Sequence, residues 1–210
     1  MRTSAAVLSG LWLTVAACGG SGSTSPPYQT VERLSISVSG ASIVSGTSVK
    51  ATATLSNGSP APNVTWTSSN FNIANVASDG TISGHIAGTA IITATSGTIV
   101  GQASVTVVPG APVSIAIYSG NDQSAAMGSR LAEPLCTNVK DAAGNFIVGA
   151  VVTYTVATGG GSMDAPTSPA TNASGIAISG LWLLGGVAGT QTVTASSPGV
   201  GSVTFTATAR

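Results

Sequence analysis

Few residues of this chain have side chains that could catalyse a reaction or bind a metal. The sequence has two cysteines, one histidine and six acidic residues among 210 positions. A zinc site takes about four Cys, His or acidic ligands, and glycosidic hydrolysis takes two carboxyl groups at a defined separation. The histidine, His85, stands in a turn-like Gly-His-Ile run, and the acids are scattered as Glu32, Asp79, Asp122, Glu133, Asp141 and Asp164. The sequence therefore predicts no catalytic residues, no cofactor and no metal site, and we expect a protein that is not an enzyme.

Two aspartates stand close to glycine, in positions typical of turns. Asp79 directly precedes Gly80, and Asp141 precedes Gly144-Asn145 by a few residues. Aspartate side chains in turns commonly accept hydrogen bonds from nearby backbone N–H groups. An alternative is a calcium site, which needs six to eight oxygen ligands. It would require Asp122, Asp141 and loop carbonyls to meet at one end of a module.

Cys18 is the residue with the clearest predicted chemistry. A basic start is followed by an apolar run over residues 5–15, which is shorter than the about 20 residues of a membrane span and typical of a signal peptide. The residues Val15-Ala16-Ala17-Cys18 resemble the lipobox of bacterial lipoproteins. The resemblance implies cleavage before Cys18, a diacylglycerol on its thiol, and a location at the cell envelope, facing the outside or the periplasm. The alternative is an ordinary signal peptide with a cysteine nearby.

Cys136 is the second thiol, and with Cys18 acylated it would have no intrachain partner. Leu135, Thr137 and Val139 have the parity of a buried strand face, which places Cys136 on the other face. Two interpretations stay open. Cys136 is either a small, partly covered residue or an exposed thiol able to link two chains.

Charge excludes one class of partner. The chain has six Lys and Arg, and removal of Arg2 with the signal would leave a balance of 5 − 6 = −1. Binding to nucleic acid depends on clustered cations that neutralise phosphates. We therefore expect no nucleic-acid partner.

After residue 30 the chain reads as short β-strands. Leu34, Ile36 and Val38 alternate with serines, and a period of two indicates strands with one buried face. Turn signals such as Asn57-Gly58 punctuate the pattern, and Gly159-Gly160-Gly161 predicts a flexible bend. Later strand-like runs cover 135–139, 151–156, 176–183, 191–195 and 203–208.

The organisation predicted is all-β, with two tandem immunoglobulin-like β-sandwiches. Two prolines around Gly110 interrupt strand pairing, and a Gly-Thr turn with a closing hairpin recurs near the end of each half. The predicted segments are a lipoprotein signal peptide (1–17), a lipidated Cys18 with a flexible linker (18–30), a first sandwich (31–108) and a second (111–209).

The first module resembles the bacterial Ig-like group 2 (Big2) domain. The resemblance rests on a series of short motifs: Val44-Ser45-Gly46-Thr47, Val64-Thr65-Trp66-Thr67-Ser68-Ser69-Asn70, Ala74-Asn75-Val76, Asp79-Gly80-Thr81-Ile82-Ser83-Gly84 and Gly88-Thr89-Ala90. We expect Trp66 to fill the space between the sheets and Asp79-Gly80 to make a tight turn.

The second module resembles the bacterial Ig-like group 1 (Big1) domain of the invasin and intimin type. Its motifs include Val139-Lys140-Asp141-Ala142-Ala143-Gly144-Asn145, Gly149-Ala150-Val151-Val152-Thr153-Tyr154 and Asn172-Ala173-Ser174-Gly175-Ile176-Ala177. The resemblance implies display on the cell surface.

The resulting expectation is a cell-envelope lipoprotein whose modules act as a surface spacer or adhesion module, held to the membrane by its lipid. The alternative is a ligand-binding surface protein that uses loops of the second module to hold a glycan or calcium. An unidentified surface protein or glycan is the partner that either function would need.

Overall fold

The computed structural model describes residues 31–40 and 42–210. The predicted signal peptide, Cys18 and the linker to residue 30 lie outside the described residues. Within them, every helix or strand assigned is a β-strand, which confirms the predicted all-β fold. In the same part of the chain, no helix is long and apolar enough to cross a membrane.

The first sandwich consists of two four-stranded sheets. In one, the strands lie in the order β1-β3-β6-β5, and in the other the order is β2-β8-β7-β4, with β2 parallel to β8. The strands are β1 (Leu34–Val38), β2 (Ser42–Val44), β3 (Ser48–Leu55), β4 (Thr65–Ser68), β5 (Ala74–Val76), β6 (Thr81–Gly84), β7 (Gly88–Ser96) and β8 (Ile99–Val108).

The first core lies between these two sheets. Ile82 from one sheet and Ile43 and Ile92 from the other are almost fully buried, and burying an isoleucine side chain stabilises a fold by about 1.5–3 kcal/mol. Trp66 is half-buried and packs against this core. Gly80, in the left-handed region at a φ of 82°, makes the predicted tight turn, and a side chain there would meet the Trp66 ring at 3.2 Å.

The second sandwich is divided among three sheets, in the orders β10-β17-β16-β12, β14-β11-β9 and β13-β15. Strand β10 is parallel to β17, as β2 is to β8 in the first sandwich. The strands are β9 (Ser114–Ser119), β10 (Gln123–Ala125), β11 (Cys136–Lys140), β12 (Thr153–Thr158), β13 (Gly161–Met163), β14 (Ile176–Ile178), β15 (Trp182–Leu184), β16 (Gly189–Ser197) and β17 (Gly201–Ala209).

The second core has larger side chains and contains a polar pair. Trp182 and Phe205 are completely buried. The hydroxyl of Tyr154 lies 2.9 Å from Thr137 Oγ1 and donates to the Ala177 carbonyl oxygen at 3.0 Å. This links β11, β12 and β14 across the core, so the buried polar atoms of Tyr154 and Thr137 are satisfied.

The two sandwiches end alike. Strands β7 and β8 form one antiparallel hairpin, and β16 and β17 form the other. Each hairpin begins at the glycine of the predicted Gly-Thr turn, Gly88 or Gly189. Two separate cores and two matching hairpins agree with tandem sandwiches, whereas the exact limits 31–108 and 111–209 stay predictions.

One local prediction is wrong. The run over 176–183 is not one strand, because the chain breaks after Ile178 and continues as β15 in another sheet. At the break, the backbone of Gly180 lies directly against the carbonyl of Asp164, which leaves no room for a side chain. The chain bends at Gly159-Gly160-Gly161, as predicted. A side chain at Gly159 would overlap Gln191 and one at Gly161 would overlap the Leu183 carbonyl, whereas there is room for one at Gly160.

Candidate functional site

The loop that follows β11 brings the two sandwiches together. Asp141 and Asn145, at its two ends, are only 4% and 6% exposed. Within the loop, Asp141 Oδ1 accepts hydrogen bonds from the backbone N–H groups of Ala143 at 2.9 Å and Asn145 at 2.8 Å. These bonds confirm that Asp141 is a turn residue, and they fix the loop in one conformation.

The other oxygen of Asp141 holds the connection between the modules. Asp141 Oδ2 accepts from the backbone N–H of Gly110 at 2.8 Å and from Asn145 Nδ2 at 2.9 Å. Burial alone would raise the pKa of this carboxyl. The bonds from the Asn145 side chain and from the N–H groups of Gly110, Asn145 and Ala143 outweigh that effect, and the pKa lies below its usual range. The buried group is therefore a carboxylate at neutral pH.

Asn145 makes the contacts to the first sandwich. Its Oδ1 accepts from the backbone N–H of Ala87 at 2.8 Å, and its Nδ2 donates to the His85 carbonyl at 3.2 Å and to Ser45 Oγ at 3.1 Å. Ser45 Oγ itself donates to the His85 carbonyl at 2.6 Å. A hydrogen-bonded network of this kind, anchored on the buried Asn145 side chain, favours a single arrangement of its members.

Beside this junction, an open cleft lies on the first sandwich. It has a volume of about 550 Å³ and is lined by Phe71, Asn72, Asn75, His85 and Ile86. Phe71 is 72% exposed and Ile86 is 50% exposed. The backbone N–H of Ile86 donates to the Asn72 carbonyl at 3.2 Å, and that of His85 to the Ile73 carbonyl at 2.8 Å. The two segments that line the cleft are therefore tied to each other.

The calcium alternative in the second module is not supported by where its residues lie. Strands β9 and β11 are antiparallel, with Ser114 opposite Lys140 and Ser119 opposite Cys136. Asp122 follows the end of β9 and Asp141 follows the end of β11, so the two carboxylates lie at opposite ends of this strand pair. Among the described residues, no group of three or more His, Cys, Asp and Glu is placed to hold a metal ion.

Asp79 and Asp164 each pair with a basic side chain. Asp79 pairs with Lys50 at 2.8 Å and accepts from the Thr81 N–H at 3.0 Å, as expected of a turn residue. Asp164 pairs with Arg130 at 2.8 Å, and this bond lowers the pKa of the Asp164 carboxyl. His85, predicted as a turn residue, lies in the connection between β6 and β7.

The interpretation of Cys136 as an exposed thiol is wrong. The residue is 8% exposed and its thiol is free. The parity argument holds, since Leu135, Thr137 and Val139 are completely buried. The opposite face is nevertheless covered at Cys136, where the pairing between β9 and β11 shifts at a bulge.

The sequence predicted neither the cleft nor the contacts that Asn145 makes at the junction. It placed Asp141 in a turn but did not identify the role of Asn145, whose partner Ser45 is 100 positions away. Phe71, Asn72 and Asn75 stand close together at the edge of the first module, and an aromatic residue among asparagines between two short strands was the available signal.

Comparison with known proteins identifies the first module. Residues 30–107 match the model of the bacterial Ig-like domain (group 2), and this part of the chain is a domain of that family. No curated protein sequence matches the chain significantly.

Several solved structures resemble the chain at low identity. Domains 1–6 of the surface layer protein SbsC are 18% identical with a TM-score of 0.40, covering 84% of this chain and 27% of that one. The Escherichia coli adhesin FdeC is 19% identical with a TM-score of 0.47, covering 84% and 63%. The D00-D0 domain of intimin is 13% identical with a TM-score of 0.47, covering 82% and 98%. The chain thus spans about a quarter of the SbsC fragment, and similarities at this level carry no argument about function.

Proposed function

We propose that the chain is a non-enzymatic cell-envelope lipoprotein whose Ig-like modules act as a surface spacer or adhesion module. The observation that carries the proposal is the buried junction at Asp141 and Asn145, which joins the sandwiches by direct hydrogen bonds. A spacer must keep its modules in a defined arrangement, and a network with satisfied polar atoms does this better than a flexible linker.

The proposed class of the second module agrees with this junction. Its resemblance to the group 1 domain rests partly on the run from Asp141 to Asn145. In the structure, that run contacts the neighbouring module. On the motifs of both modules, and on the match of residues 30–107 to the group 2 model, we propose a group 2 module over 31–108 followed by a group 1 module over 111–209.

The proposed anchor is a lipid on Cys18, with residues 19–30 as the tether. Metabolic labelling with a radioactive fatty acid tests it, since the chain should be labelled and recovered with the membrane fraction. The variant Cys18→Ala should lose both properties, whereas Cys136→Ala should keep both. An unlabelled wild-type chain that is released in soluble form would refute the anchor.

Adhesion is tested separately from anchoring. Cells that display the chain and cells that carry Cys18→Ala are compared for attachment to host-cell monolayers. An adhesion module predicts attachment that depends on display and is competed by purified protein. Equal attachment of the two strains would contradict adhesion and leave the spacer as the function. Absence of the chain from the cell envelope would contradict both the spacer and the adhesion module.

A ligand-binding role is the second candidate, and the cleft on the first sandwich favours it. The alternative drawn from the sequence placed glycan or calcium binding in loops of the second module. The loop of Asp141 and Asn145 is occupied by the junction, so a ligand site is better supported at Phe71 and its neighbours.

A further inference from the structure

We propose that the cleft lined by Phe71, Asn72, Asn75, His85 and Ile86 is a binding site for a neutral saccharide. This inference deepens the adhesion role proposed above and rests on it for its setting, but the binding itself does not depend on the lipid anchor. The volume of about 550 Å³ is within the usual range of ligand sites, about 300–1,000 Å³.

The aromatic ring provides the apolar part of the site. Phe71 is 72% exposed, although a ring of this size is normally buried when a fold only needs it for its core. The C–H groups on one face of a pyranose ring can pack on an aromatic face. Ile86, 50% exposed in the same cleft, widens this apolar surface.

Asparagine side chains provide the polar part. Asn72 and Asn75 are exposed and line the same cleft. Each side-chain amide has two donor hydrogens and an acceptor oxygen, and a sugar hydroxyl also acts as donor and acceptor. Vicinal hydroxyls on a sugar bound over Phe71 would therefore find complementary groups at its side.

The lining residues define the class of saccharide. No acidic residue, lysine or arginine is among the five that line the cleft. Sulfated, phosphorylated or sialylated sugars are recognised through cationic groups, arginine above all. A neutral saccharide matches two amides, an aromatic ring and an aliphatic side chain, and the His85 imidazole can donate to or accept from a sugar hydroxyl.

Strand addition by a peptide fits this edge less well. The neighbouring edge strand β5 has only three residues, Ala74–Val76, and recognition by strand addition draws its affinity from a row of main-chain hydrogen bonds. A partner would therefore contact mainly the exposed side chains of the cleft, and few main-chain groups of β5.

The junction holds one wall of the cleft in place before any ligand binds. Asn145 donates to the His85 carbonyl at 3.2 Å and accepts from the Ala87 N–H at 2.8 Å, so both neighbours of Ile86 are held by the second sandwich. A wall that is already ordered lowers the entropy lost on binding. The second sandwich thereby supports a site that lies entirely on the first.

The test is a calorimetric titration of the full chain, purified in a polyoxyethylene detergent because a maltoside head group would compete. The probes are cellohexaose, chitohexaose, maltohexaose and laminarihexaose. We expect one or more of them to bind, and Phe71→Ala and Asn75→Ala each to weaken that binding by at least about tenfold. The matched control is Tyr118→Ala, because Tyr118 is an aromatic residue of 56% exposure outside the cleft, and it should bind as the unaltered chain does.

Circular dichroism verifies that each variant is folded. If one of the two cleft variants does not fold, the other still tests the site. Absence of binding by all four probes with a Kd below about 10 mM overturns the proposal. So does binding that survives both cleft substitutions, or that Tyr118→Ala reduces equally. Binding confined to sulfated or sialylated oligosaccharides, or to a protein ligand that no hexasaccharide displaces, also overturns it. Each of these outcomes leaves the labelling and attachment experiments unaffected, so failure of this site is distinguishable from failure of the proposed function.

Discussion

The side-chain amide of Asn145 in the second sandwich donates to the carbonyl oxygen of His85 in the first, at 3.2 Å. The same side chain accepts from the Ala87 N–H at 2.8 Å. One asparagine thus satisfies a donor and an acceptor of the turn before β7. Because Asn145 is itself bonded to the Asp141 carboxylate, the turn of one module and the loop of the other form one network.

Asn145→Ala should loosen the junction without disrupting either core. The substitution removes the acceptor of the Ala87 N–H and the donor to the His85 carbonyl, and a hydrogen bond contributes a net of about 0.5–1.5 kcal/mol. We expect faster hydrogen exchange at the Ala87 amide, measured by NMR. The control is Asn172→Ala, since Asn172 Oδ1 accepts from Ser174 and Ile176 within the second sandwich. Unchanged exchange at Ala87 in Asn145→Ala would contradict the role of this side chain.

The junction should weaken in acid. The pKa of Asp141 is lowered in the folded chain, whereas an unfolded aspartate titrates near about 3.9. A lowered folded pKa contributes stability above the unfolded pKa and loses it as pH falls through the folded one. Asp141→Asn should therefore reduce the free energy of unfolding by about 1–3 kcal/mol at neutral pH, and the difference from the unaltered chain should shrink below about pH 4.

Chemical denaturation at a series of pH values measures this difference. Glu133→Gln is the control, because Glu133 is exposed, and it should change the free energy of unfolding little at any pH. The free energies of unfolding of Asp141→Asn and of the unaltered chain are compared at neutral pH and below about pH 3. A difference between them that is the same at both pH values would show that the charge of Asp141 does not stabilise the junction.

Local pattern predicted the strands because side chains alternate along a strand with a period of two. Leu135, Thr137 and Val139 are buried as their parity indicates. The same reasoning missed what depends on distant residues. At the break between β14 and β15, Gly180 lies against Asp164, which is distant in sequence, and the partners of Asn145 belong to another module. The cleft consists of exposed side chains on two connections and on the short strand β5, and these follow no common period.

Gly159 and Gly160, directly before β13 (Gly161–Met163), offer a matched pair of substitutions. Gly159 and Gly160 both have positive φ, 82° and 75°, so alanine strains the backbone at either position. Only at Gly159 would the new side chain overlap another residue, the buried Gln191, since no atom lies within 4 Å of a side chain at Gly160.

Gly159→Ala should therefore lower the melting temperature more than Gly160→Ala. Gln191 is held by hydrogen bonds to Gly185 and Val187, so it cannot move aside without losing them, and overpacking typically costs about 1–3 kcal/mol. Thermal unfolding followed by circular dichroism measures both variants. Equal losses would mean that strain alone, and not the contact with Gln191, determines the effect.

Tyr154 should titrate far above a free tyrosine. Burial is the main cause that raises its pKa to about 12, and the bond with Thr137 opposes the shift only in part. Since the folded pKa lies above the unfolded value of about 10, the contribution of Tyr154 to stability is complete below pH 10 and is lost as pH rises toward 12.

The difference in absorbance at 295 nm between the unaltered chain and Tyr154→Phe isolates the phenolate of Tyr154. We expect this difference to appear only as the pH approaches 12 or as the chain unfolds. Tyr154→Phe should also be less stable by about 1–3 kcal/mol at neutral pH, because the Ala177 carbonyl and Thr137 hydroxyl lose a buried partner. A phenolate that forms near pH 10 in the folded chain would show that Tyr154 is not enclosed in the core.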